Sequence, residues 1–434
     1  MAIDADSRKK HLLILASKLG YQTRGFSDAA EKLGVAVRFA TDRCHQLEDP
    51  WGDEALPVHF EHPRQAAEKI AHHFREFPPD AILALGDRAT PAAAYAAEAF
   101  GIDGNPPKAV EICRNKLHQR QTLAAAGIPV PDFFSFTLTH DLSRALARLK
   151  FPCVIKPLTL AASQGVIRAN NATEFEQAIE RIRMILTSPE IQILHEPSLD
   201  HLLVETYIPG REVALEGLIE SGRLRVLALF DKPEPLEGPY FEETIYVTPS
   251  RLAKTEQEAV IECASHSVRA LGLATGPVHA EFRINGRGAW VVEIAPRPIG
   301  GLCGRALRFG PEKISLEELL VRHALALPGA DASREEQASG VMMIPVPRSG
   351  IFEGVGGIEE AEKIPGLGEI RITARLHDYI AAWPEGSSYL GFIFAHGNTP
   401  EEAENALRQA HAKLEFRFSP RLPVEHPVAG RLGA

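Results

Sequence analysis

The segment GPVHAEFRINGRGAWVVEIAPRPIGG, residues Gly276–Gly301, combines two apolar runs with a polar turn between them. This pattern predicts two antiparallel strands joined by the NGRG turn. Glu281 and Glu293 lie on the two strands, so the hairpin would bring both carboxylates together. Adjacent carboxylates repel each other without a cation, and Mg²⁺ is commonly bound by one or two carboxylates plus substrate phosphates. The segment therefore predicts a metal-dependent phosphate site.

An arginine and two glycines follow the second strand. The planar guanidinium of Arg297 suits a carboxylate or a phosphoryl oxygen. Gly300 and Gly301 would keep the backbone close and leave room for a substrate. The alternative is an edge hairpin whose acids form ordinary ion pairs, and the apolar character of both strands disfavours it.

A second group of candidates lies upstream, in FPCVIKPLTLAASQGVIRAN at residues 151–170. Lys156 ends an apolar strand, where a buried cation is costly unless an anion meets it. Phosphate is a natural partner for this cation. The small residues Ser163–Val166 would then close over phosphates with backbone N–H groups and a hydroxyl. A plain hairpin turn is the alternative.

HLLVETYIPGREVALEGLI, at residues 201–219, predicts two strands around a Pro-Gly turn. Glu205 and Glu212 flank this turn. Residues 205–208 would offer adenine an apolar slot with polar partners, and Glu212 would accept hydrogen bonds from ribose hydroxyls. An amphipathic hairpin without a ligand is the alternative.

RNKLHQRQTLAAAGIPVP, at residues 114–131, predicts a helix that Gly127 ends. Lys116 and Arg120 are four residues apart and share one face of this helix. A cation near a nucleotide would fit that position. The alternative is a solvated helix face, which is the usual environment of such a pair.

Length and composition limit the class of protein. A chain of 434 residues exceeds a single core and predicts two or three domains. The net charge is -10, and the basic residues are scattered, which argues against a nucleic-acid partner. Five cysteines without a CxxC pair indicate reduced thiols, and no apolar run approaches the roughly 20 residues of a membrane helix. We therefore expect a cytoplasmic protein without a membrane segment.

The first hundred residues alternate apolar runs with amphipathic ones, which predicts βαβ units and a parallel sheet. Gly86 and Asp87 would end a strand at the carboxyl edge of this sheet, where they either contact substrate or form a plain turn. A Pro-rich connector at Gly104–Val110 and a polar stretch at Pro328–Gly340 predict two boundaries. The common short motifs, including GxxxxGK[ST], HExxH, GxSxG and GxGxxG, are absent.

Taken in order, these lysines, glycines, glutamates and Arg297 resemble the ATP-grasp superfamily over about residues 108–327. EIAPRPIGG, GPYFEETIYVTPSRL and SSYLGFIFAHGNTPEEAENALR are similar to the branch that contains L-amino acid ligases. The resemblance implies an α/β fold with a Rossmann-like N-terminal domain at residues 1–107, a two-lobed ATP-grasp domain at 108–327 and an α+β C-terminal domain at 328–434.

The resemblance also implies site residues, with Lys116, Lys156 and Arg297 as the catalytic group. ATP would contact Lys116, Lys156, Ser163, Gln164, Gly165, Val166, Glu205, Thr206, Tyr207, Ile208 and Glu212. Mg²⁺ or Mn²⁺ would bind Glu281 and Glu293, and the substrate pocket would include Glu243, Tyr246, Arg297, Gly300 and Gly301. Two departures stand out: Ala295 replaces the Asn that is often a third metal ligand, and Tyr246 stands where related ligases can carry a His.

The implied activity is an ATP-dependent ligase that joins a carboxylate to an amine through an acyl phosphate and forms ADP and phosphate. Its substrates would be small molecules, with amino acids and a dipeptide product indicated by the branch, and the sequence is compatible with a homodimer. One alternative is a carboxylating ATP-grasp ligase of purine biosynthesis. Another is a nucleotide-binding module without catalysis, which the retention of Glu281, Glu293 and Arg297 disfavours.

Overall fold

The computed structural model describes residues 9–17, 20–42, 55–138, 145–328 and 331–420. Its first part is a parallel sheet with the strand order β3-β2-β1-β4. The elements are β1 (His11–Ala16), α1 (Tyr21–Lys32), β2 (Ala36–Thr41), β3 (Leu56–Pro57), α2 (Pro63–His73), β4 (Ala81–Leu85) and α3 (Thr90–Phe100). The predicted parallel α/β pattern is confirmed.

Alternate side chains of β1 enter two separate apolar clusters. Leu12 and Ile14 pack with residues of α1 and of the large sheet described below. Leu13 and Leu15 pack with residues of α2 and α3 on the opposite face. A parallel sheet that is covered on both faces requires such a continuous apolar strand, which explains the run HLLILA.

The next part is a small lobe built on an antiparallel sheet with the order β5-β8-β6-β7. It is preceded by α4 (Pro107–Arg114) and α5 (Lys116–Ala125), whose apolar residues pack with the large lobe described below. Its own elements are β5 (Phe133–Thr137), β6 (Cys153–Pro157), β7 (Ile167–Ala169), α6 (Ala172–Leu186), α7 (Pro189–Gln192) and β8 (His201–Thr206). Phe175 and Ile179 of α6 pack with Cys153 and Ile155 of β6 on one face of this sheet. Because side chains alternate along a strand, Val154 and Lys156 occupy the other face.

The large lobe follows, with the elements β9 (Arg211–Glu220), β10 (Arg223–Asp231), β11 (Ile245–Thr248), α8 (Lys254–Leu271), β12 (Gly276–Asn285) and β13 (Gly288–Ala295). The predicted hairpin is confirmed, since β12 and β13 pair antiparallel with Glu281 opposite Glu293. In contrast, β8 and β9 belong to different sheets. The alternative of a simple hairpin around Pro209 and Gly210 is therefore wrong, because this turn links the two lobes.

The last part contains β14 (Arg308–Phe309), β15 (Ile314–Ser315), α9 (Leu316–Ala324), β16 (Ala338–Ile344), β17 (Gly350–Gly356), α10 (Ile358–Ala361), β18 (Leu367–Ile372), β19 (Tyr379–Ile380), β20 (Gly391–Gly397), α11 (Pro400–His411) and β21 (Glu415–Ser419). Three of these strands extend the large sheet in the order β13-β12-β9-β10-β11-β16-β20-β18. A separate small sheet has the order β19-β17-β21. The C-terminal part thus shares a sheet with the large lobe.

The predicted linker at Pro328–Gly340 is shorter than expected, because its last three residues already belong to β16. Residues 329 and 330 of this linker lie outside the described ranges. The division of the chain at residues 108 and 328 stays a prediction. Four cysteines in the described ranges are free, while Cys44 lies outside them. None of the described helices is both long and apolar enough to cross a membrane.

We expect Gly210→Ala to lower the free energy of unfolding by about 2 kcal/mol or more. Gly210 has a φ of 128°, and an added Cβ would lie 2.2 Å from the carbonyl oxygen of Ile284 on β12. Backbone strain of about 1–3 kcal/mol would add to this clash. Urea unfolding followed by circular dichroism measures the change.

Gly286→Ala is the control, since it lies in the neighbouring β12–β13 turn and an added Cβ meets no atom within 4 Å. Its effect should stay within about 0.5 kcal/mol. Equal effects of the two substitutions would contradict the close approach between the interlobe link and β12.

Candidate active site

A cleft lies between the two lobes, and its volume is about 730 Å³ when the part open to solvent is included. The predicted residues that line the cleft are Lys116, Lys156, Ser163, Val166, Glu205, Thr206, Tyr207, Ile208, Glu212, Glu243, Glu281 and Glu293. Those that lie outside its lining are Gln164, Gly165, Tyr246, Arg297, Gly300 and Gly301.

One part of the cleft is apolar. Val154 of β6 and Phe241 of the large lobe belong to one small cluster, and Val166 and Tyr207 pack against it. The backbone of residues 206–208 borders the same space. An apolar slot bordered by a polar strand end is the kind of surface that suits a purine ring.

Helix α5 and the small lobe together supply a buried group of two cations and one anion. Lys156 Nζ and Arg120 Nε each lie 2.5 Å from a carboxylate oxygen of Glu205 on β8. Burial alone would raise the pKa of Glu205, but Arg120 and Lys156 outweigh it and lower the pKa to about 2. Glu205 therefore stays ionised, and the two cations exceed its charge by one unit, which leaves the group suited to an anionic ligand.

Lys116 adds a third cation from the start of α5. Asn115 caps this helix by accepting hydrogen bonds from the backbone N–H groups of Leu117 and His118. The cap places Lys116 Nζ 2.8 Å from the carbonyl oxygen of Leu160 and 3.2 Å from Glu293 Oε1. Lys116 thus connects the loop after β6 with β13 across the cleft.

Three carboxylates from the large lobe surround one lysine on the other side of the cleft. Lys232 Nζ lies 2.9 Å from Glu212, 2.6 Å from Glu243 and 3.1 Å from Glu281. One oxygen of each carboxylate lies within 4.8 Å of the other two. Burial and the Glu281 charge raise the pKa of Glu243 to about 7, although Lys232 opposes this shift. With the neighbouring Arg283 and His279 included, three cations face the four carboxylates of Glu212, Glu216, Glu243 and Glu281, so these oxygen ligands fit a divalent cation.

Two further side chains orient these carboxylates. Arg283 Nε donates to Glu212 at 2.7 Å, and its Nη1 donates to the Tyr207 hydroxyl and the Ile208 carbonyl. His279 contacts the buried Glu216 through Nδ1 and lies 3.4 Å from Glu281 through Nε2. Burial opposes the charge on His279, but Glu216 outweighs it and raises the pKa to about 9. The carboxylates are thus held by neighbouring cations.

The structure groups the predicted metal ligands differently from the sequence pattern. Glu281 joins the three-carboxylate cluster, which does not include Glu293. Glu293 instead pairs with Lys116. Glu212 and Glu243, predicted at the ribose and in the substrate pocket, both belong to the cluster. Glu281 is therefore the residue that the predicted metal pair and the observed cluster have in common.

Arg297 lies beyond β13 and binds the N-terminal part of the chain. Its Nε and Nη2 each lie 3.0 Å from a carboxylate oxygen of Asp87, which follows β4. Burial alone would raise the pKa of Asp87, but Arg297 outweighs it and lowers the pKa to about 2. The sequence predicts that the Arg297 guanidinium meets a carboxylate or a phosphoryl oxygen. In the structure, it meets the carboxylate of Asp87 from the same chain.

The predicted phosphate loop contacts the C-terminal part of the chain. Trp383 Nε1 donates to the carbonyl oxygen of Ala162 at 3.2 Å, and Gln164 Nε2 donates to that of Glu385 at 2.7 Å. The backbone N–H of Gly165 donates to the carbonyl oxygen of Pro384 at 3.2 Å. The loop also joins β6 to β7, which pair antiparallel, so it is a hairpin connection as well. It therefore lies between the cleft and the C-terminal part.

The space that the sequence predicted beside Gly301 is occupied by another side chain. Gly301 has a φ of 63°, and an added Cβ would lie 2.8 Å from the ring of Phe392 on β20. The prediction that Gly301 leaves space for a substrate is therefore wrong, because this glycine accommodates Phe392. Gly300 is exposed, and an added Cβ there would meet no atom within 4 Å. Tyr246 is buried, and its hydroxyl lies 2.6 Å from Glu243 Oε2.

Several cleft residues were missed by the sequence analysis. Lys232 follows the apolar strand β10, the same signal that identified Lys156 on β6. Arg283 lies two residues after Glu281 and therefore shares its face of β12. Phe241 had no signal, because it reaches the cleft from a segment between β10 and β11.

The fold and the cleft define a class of protein, and family comparisons agree with it. Residues 149–306 match the ATP-grasp domain family, and residues 27–104 match the ATP-grasp N-terminal domain family. Residues 342–419 match the L-amino acid ligase C-terminal domain 2 family. These matches show that the chain carries ATP-grasp domains and resembles the ATP-grasp superfamily.

Within the superfamily, the chain resembles the branch of L-amino acid ligases. The crystal structure of an L-amino acid ligase from Bacillus licheniformis has a TM-score of 0.80 and 29% identity, and the match covers 95% of this chain and all of that one. Alanine–anticapsin ligase of Bacillus subtilis is 26% identical over 62% of this chain. A formate-dependent phosphoribosylglycinamide formyltransferase of Sulfurisphaera tokodaii is 26% identical over 76% of this chain and 80% of its own length. The chain spans about 60% of the length of the alanine–anticapsin ligase.

We expect Glu205→Gln to lower the free energy of unfolding by about 3–5 kcal/mol at neutral pH, because it leaves two buried cations without their anion. The pKa of Glu205 is about 2 in the folded chain and about 4.3 in an unfolded one. Its contribution to stability is therefore complete above about pH 4.3 and is lost as the pH falls toward 2. Urea unfolding at a series of pH values should show a shallower acid dependence for this variant.

Glu190→Gln on α7 is the control, because Glu190 is exposed. Its stability should stay within about 0.5 kcal/mol of the parent chain, with the same acid dependence. An unchanged acid dependence for Glu205→Gln would show that Glu205 is not ionised in the folded state.

Proposed function

We propose that the chain is an ATP-dependent ligase that joins a carboxylate to an amine and forms ADP and phosphate. The observation that carries this proposal is the cleft itself, where Lys116 and Lys156 face the same space as the Glu212, Glu243 and Glu281 cluster. Cations suit the phosphates of ATP, and clustered carboxylates suit the divalent cation that accompanies them. The matches to ATP-grasp families support the same conclusion.

The nucleotide would lie with its base in the apolar slot and its phosphates toward the lysines. Val154 and Phe241 would supply apolar contacts, and residues 206–208, which line the cleft, would meet the edge of the base. Glu212 is the proposed acceptor for the ribose hydroxyls. Lys116 and Lys156 would bind phosphate oxygens, with Ser163–Val166 closing above them.

Glu281 and Glu293 are the proposed ligands of Mg²⁺ or Mn²⁺. Glu281 is supported by the carboxylate cluster, and Glu293 by its position directly opposite on the paired strand. When bound, the cation would neutralise charge on the phosphates of ATP. Ala295 offers no oxygen from its side chain, so neighbouring carboxylates would complete the coordination.

The proposed chemistry proceeds in two steps. A substrate carboxylate attacks the γ-phosphorus of ATP, and the bond from this phosphorus to the oxygen that bridges the β- and γ-phosphates breaks. ADP departs, and the carboxylate has become an acyl phosphate. A neutral amine then attacks the acyl carbon, loses a proton, and releases phosphate as the amide forms. Lys116, Lys156 and Arg297 would offset the negative charge that develops in both steps. A closed loop over the phosphates would exclude water, which would otherwise hydrolyse the intermediate.

Amino acids are the proposed substrates, and a dipeptide is the proposed product. The match to the L-amino acid ligase C-terminal domain and the likeness to the Bacillus licheniformis enzyme support this assignment. The likeness to a formate-dependent formyltransferase supports a second candidate, in which a small one-carbon acid is activated. The two candidates differ in which carboxylate makes ATP turnover proceed.

We expect phosphate release from Mg-ATP to require two amino acids together, measured with the purified chain across a grid of amino-acid pairs. Glu293→Gln should lower the rate by about 100-fold or more, because it removes a proposed metal ligand. Glu258→Gln on α8 is the control, since its side chain is largely exposed, and it should keep the parent rate. Release that needs only formate or bicarbonate would refute the amino-acid assignment.

Trp383→Phe should raise the fraction of ATP that is hydrolysed without ligation. The substitution keeps an aromatic ring but removes the hydrogen bond to Ala162, and one such bond contributes about 1 kcal/mol, or roughly fivefold in the open population of the loop. The ratio of phosphate released to amide formed measures the effect. Trp290→Phe is the control, since Trp290 Nε1 has no hydrogen-bond partner within the described part of the chain. Equal ratios of phosphate to amide for the Trp383→Phe and Trp290→Phe variants would show that Trp383 does not contribute to loop closure.

A further inference from the structure

A carboxylate of the N-terminal part holds the proposed phosphoryl-binding arginine in two-point contact. Asp87 Oδ1 accepts from Arg297 Nε, and Asp87 Oδ2 accepts from Arg297 Nη2, both at 3.0 Å. The side chains of both residues are largely shielded, with exposed fractions of 19% and 15%. Such parallel bonds fix the plane of a guanidinium as well as its position.

The segment that carries Asp87 is itself firmly anchored. Gly86 has a φ of 86°, which allows the sharp turn after β4, and the Thr90 hydroxyl donates to the carbonyl oxygen of Asp87 at 2.7 Å. The adjacent Arg88 forms ion pairs with Asp42 and with Glu196 of the small lobe, at 2.8 and 2.5 Å. Asp87 therefore has little freedom to follow Arg297 if that side chain moves.

Arg297 keeps hydrogen-bonding capacity in this arrangement. A guanidinium has five N–H donors. Two are used by Asp87, and one of the Nη1 donors is used by the carbonyl oxygen of Pro298 at 3.0 Å. One N–H on each terminal nitrogen remains, which suffices for two bonds to a phosphoryl group or an oxyanion.

The N-terminal part reaches the site through Arg297 and not by lining the cleft. Among the described residues, those that line the cleft lie at position 116 or beyond. Asp87 lies between β4 and α3, and its side chain hydrogen-bonds the proposed catalytic Arg297. This contact therefore links the N-terminal part to the site.

We propose that Asp87 is a positioning residue that holds the Arg297 guanidinium, charged and correctly oriented, for the phosphoryl group. The inference rests on the proposed function in that Arg297 acts on this group. In a competing interpretation, the Asp87 carboxylate takes the position on the Arg297 guanidinium where a substrate carboxylate binds, and the substrate must displace Asp87. The two interpretations predict opposite effects when the charge of Asp87 is removed.

The test compares binding of Mg-ADP with binding of Mg-ADP and aluminium fluoride, which mimics the transferring phosphoryl group. In the parent chain the second complex should bind more tightly. Asp87→Asn should weaken it by about 10- to 100-fold, the range found when a group that orients a binding residue is lost, while Mg-ADP affinity stays unchanged. In turnover, the same variant should lower kcat with little change in KM for ATP, and Asp87→Glu should recover part of the loss.

Asp42→Asn is the matched control. It removes the carboxylate that pairs with Arg88, the residue next to Asp87, and Asp42 forms no ion pair with Arg297. It should leave both affinities unchanged. Equal affinities of the parent chain for the two complexes, unchanged affinities for Asp87→Asn, or equal losses for both complexes would overturn the proposal. Tighter binding or a higher kcat/KM for the carboxylate substrate would establish the competing interpretation instead.

If Asp87→Asn fails to fold, Asp87→Glu is measured in the same way, and a loss confined to the aluminium fluoride complex supports the proposal. Failure of the proposed function has a different signature. A parent chain that binds the aluminium fluoride complex tightly, yet releases no phosphate with any amino-acid pair, would refute the ligase assignment and leave the role of Asp87 intact.

Discussion

The contact on which the site depends is the pairing of Arg120 with groups from both lobes. Its Nε binds Glu205 on β8 of the small lobe, and its Nη2 donates to the carbonyl oxygen of Val292 on β13 of the large lobe. Arg120 is buried, so the loss of Glu205 would leave its charge without compensation, and the loss of the Val292 carbonyl would leave a buried N–H without a partner. Gln119 adds two hydrogen bonds from the same helix to the backbone of Ile294. Helix α5 therefore fixes the separation of the sheets between which the cleft lies.

The other connections between the parts of the chain follow the same logic. Arg283 ties the interlobe link at Tyr207 and Ile208 to Glu212, so the link and the carboxylates share one buried cation. Lys116 joins the loop after β6 to Glu293. These contacts are polar, and each is made by a side chain with several donors. Apolar packing stabilises the lobes, while polar contacts set their geometry.

The sequence allowed prediction of the elements whose pattern is local. The β12–β13 hairpin, with Glu281 opposite Glu293, follows from two apolar runs around a short turn. Lys232 was missed because the lysine of DKPEPLEG resembles a loop cation until three carboxylates from distant segments meet it. Gly301 was misinterpreted because its neighbour, Phe392, lies about ninety residues away on a strand whose pairing the local sequence does not reveal. Contacts between distant segments depend on the topology of the fold, and the spacing of residues along the sequence does not predict them.

The electrostatic layout of the cleft explains why a phosphoryl transfer suits it. Lys116, Lys156 and Arg120 lie on one side, and Glu212, Glu243 and Glu281 lie on the other around Lys232. Neither side is neutral by itself, since Arg120 and Lys156 share Glu205, whereas Lys232, Arg283 and His279 face the four carboxylates of Glu212, Glu216, Glu243 and Glu281. Anionic phosphates meet the first excess and a divalent cation meets the second, so Mg-ATP as a complex balances both at once. Either component alone would leave one side uncompensated, which favours binding of the two together.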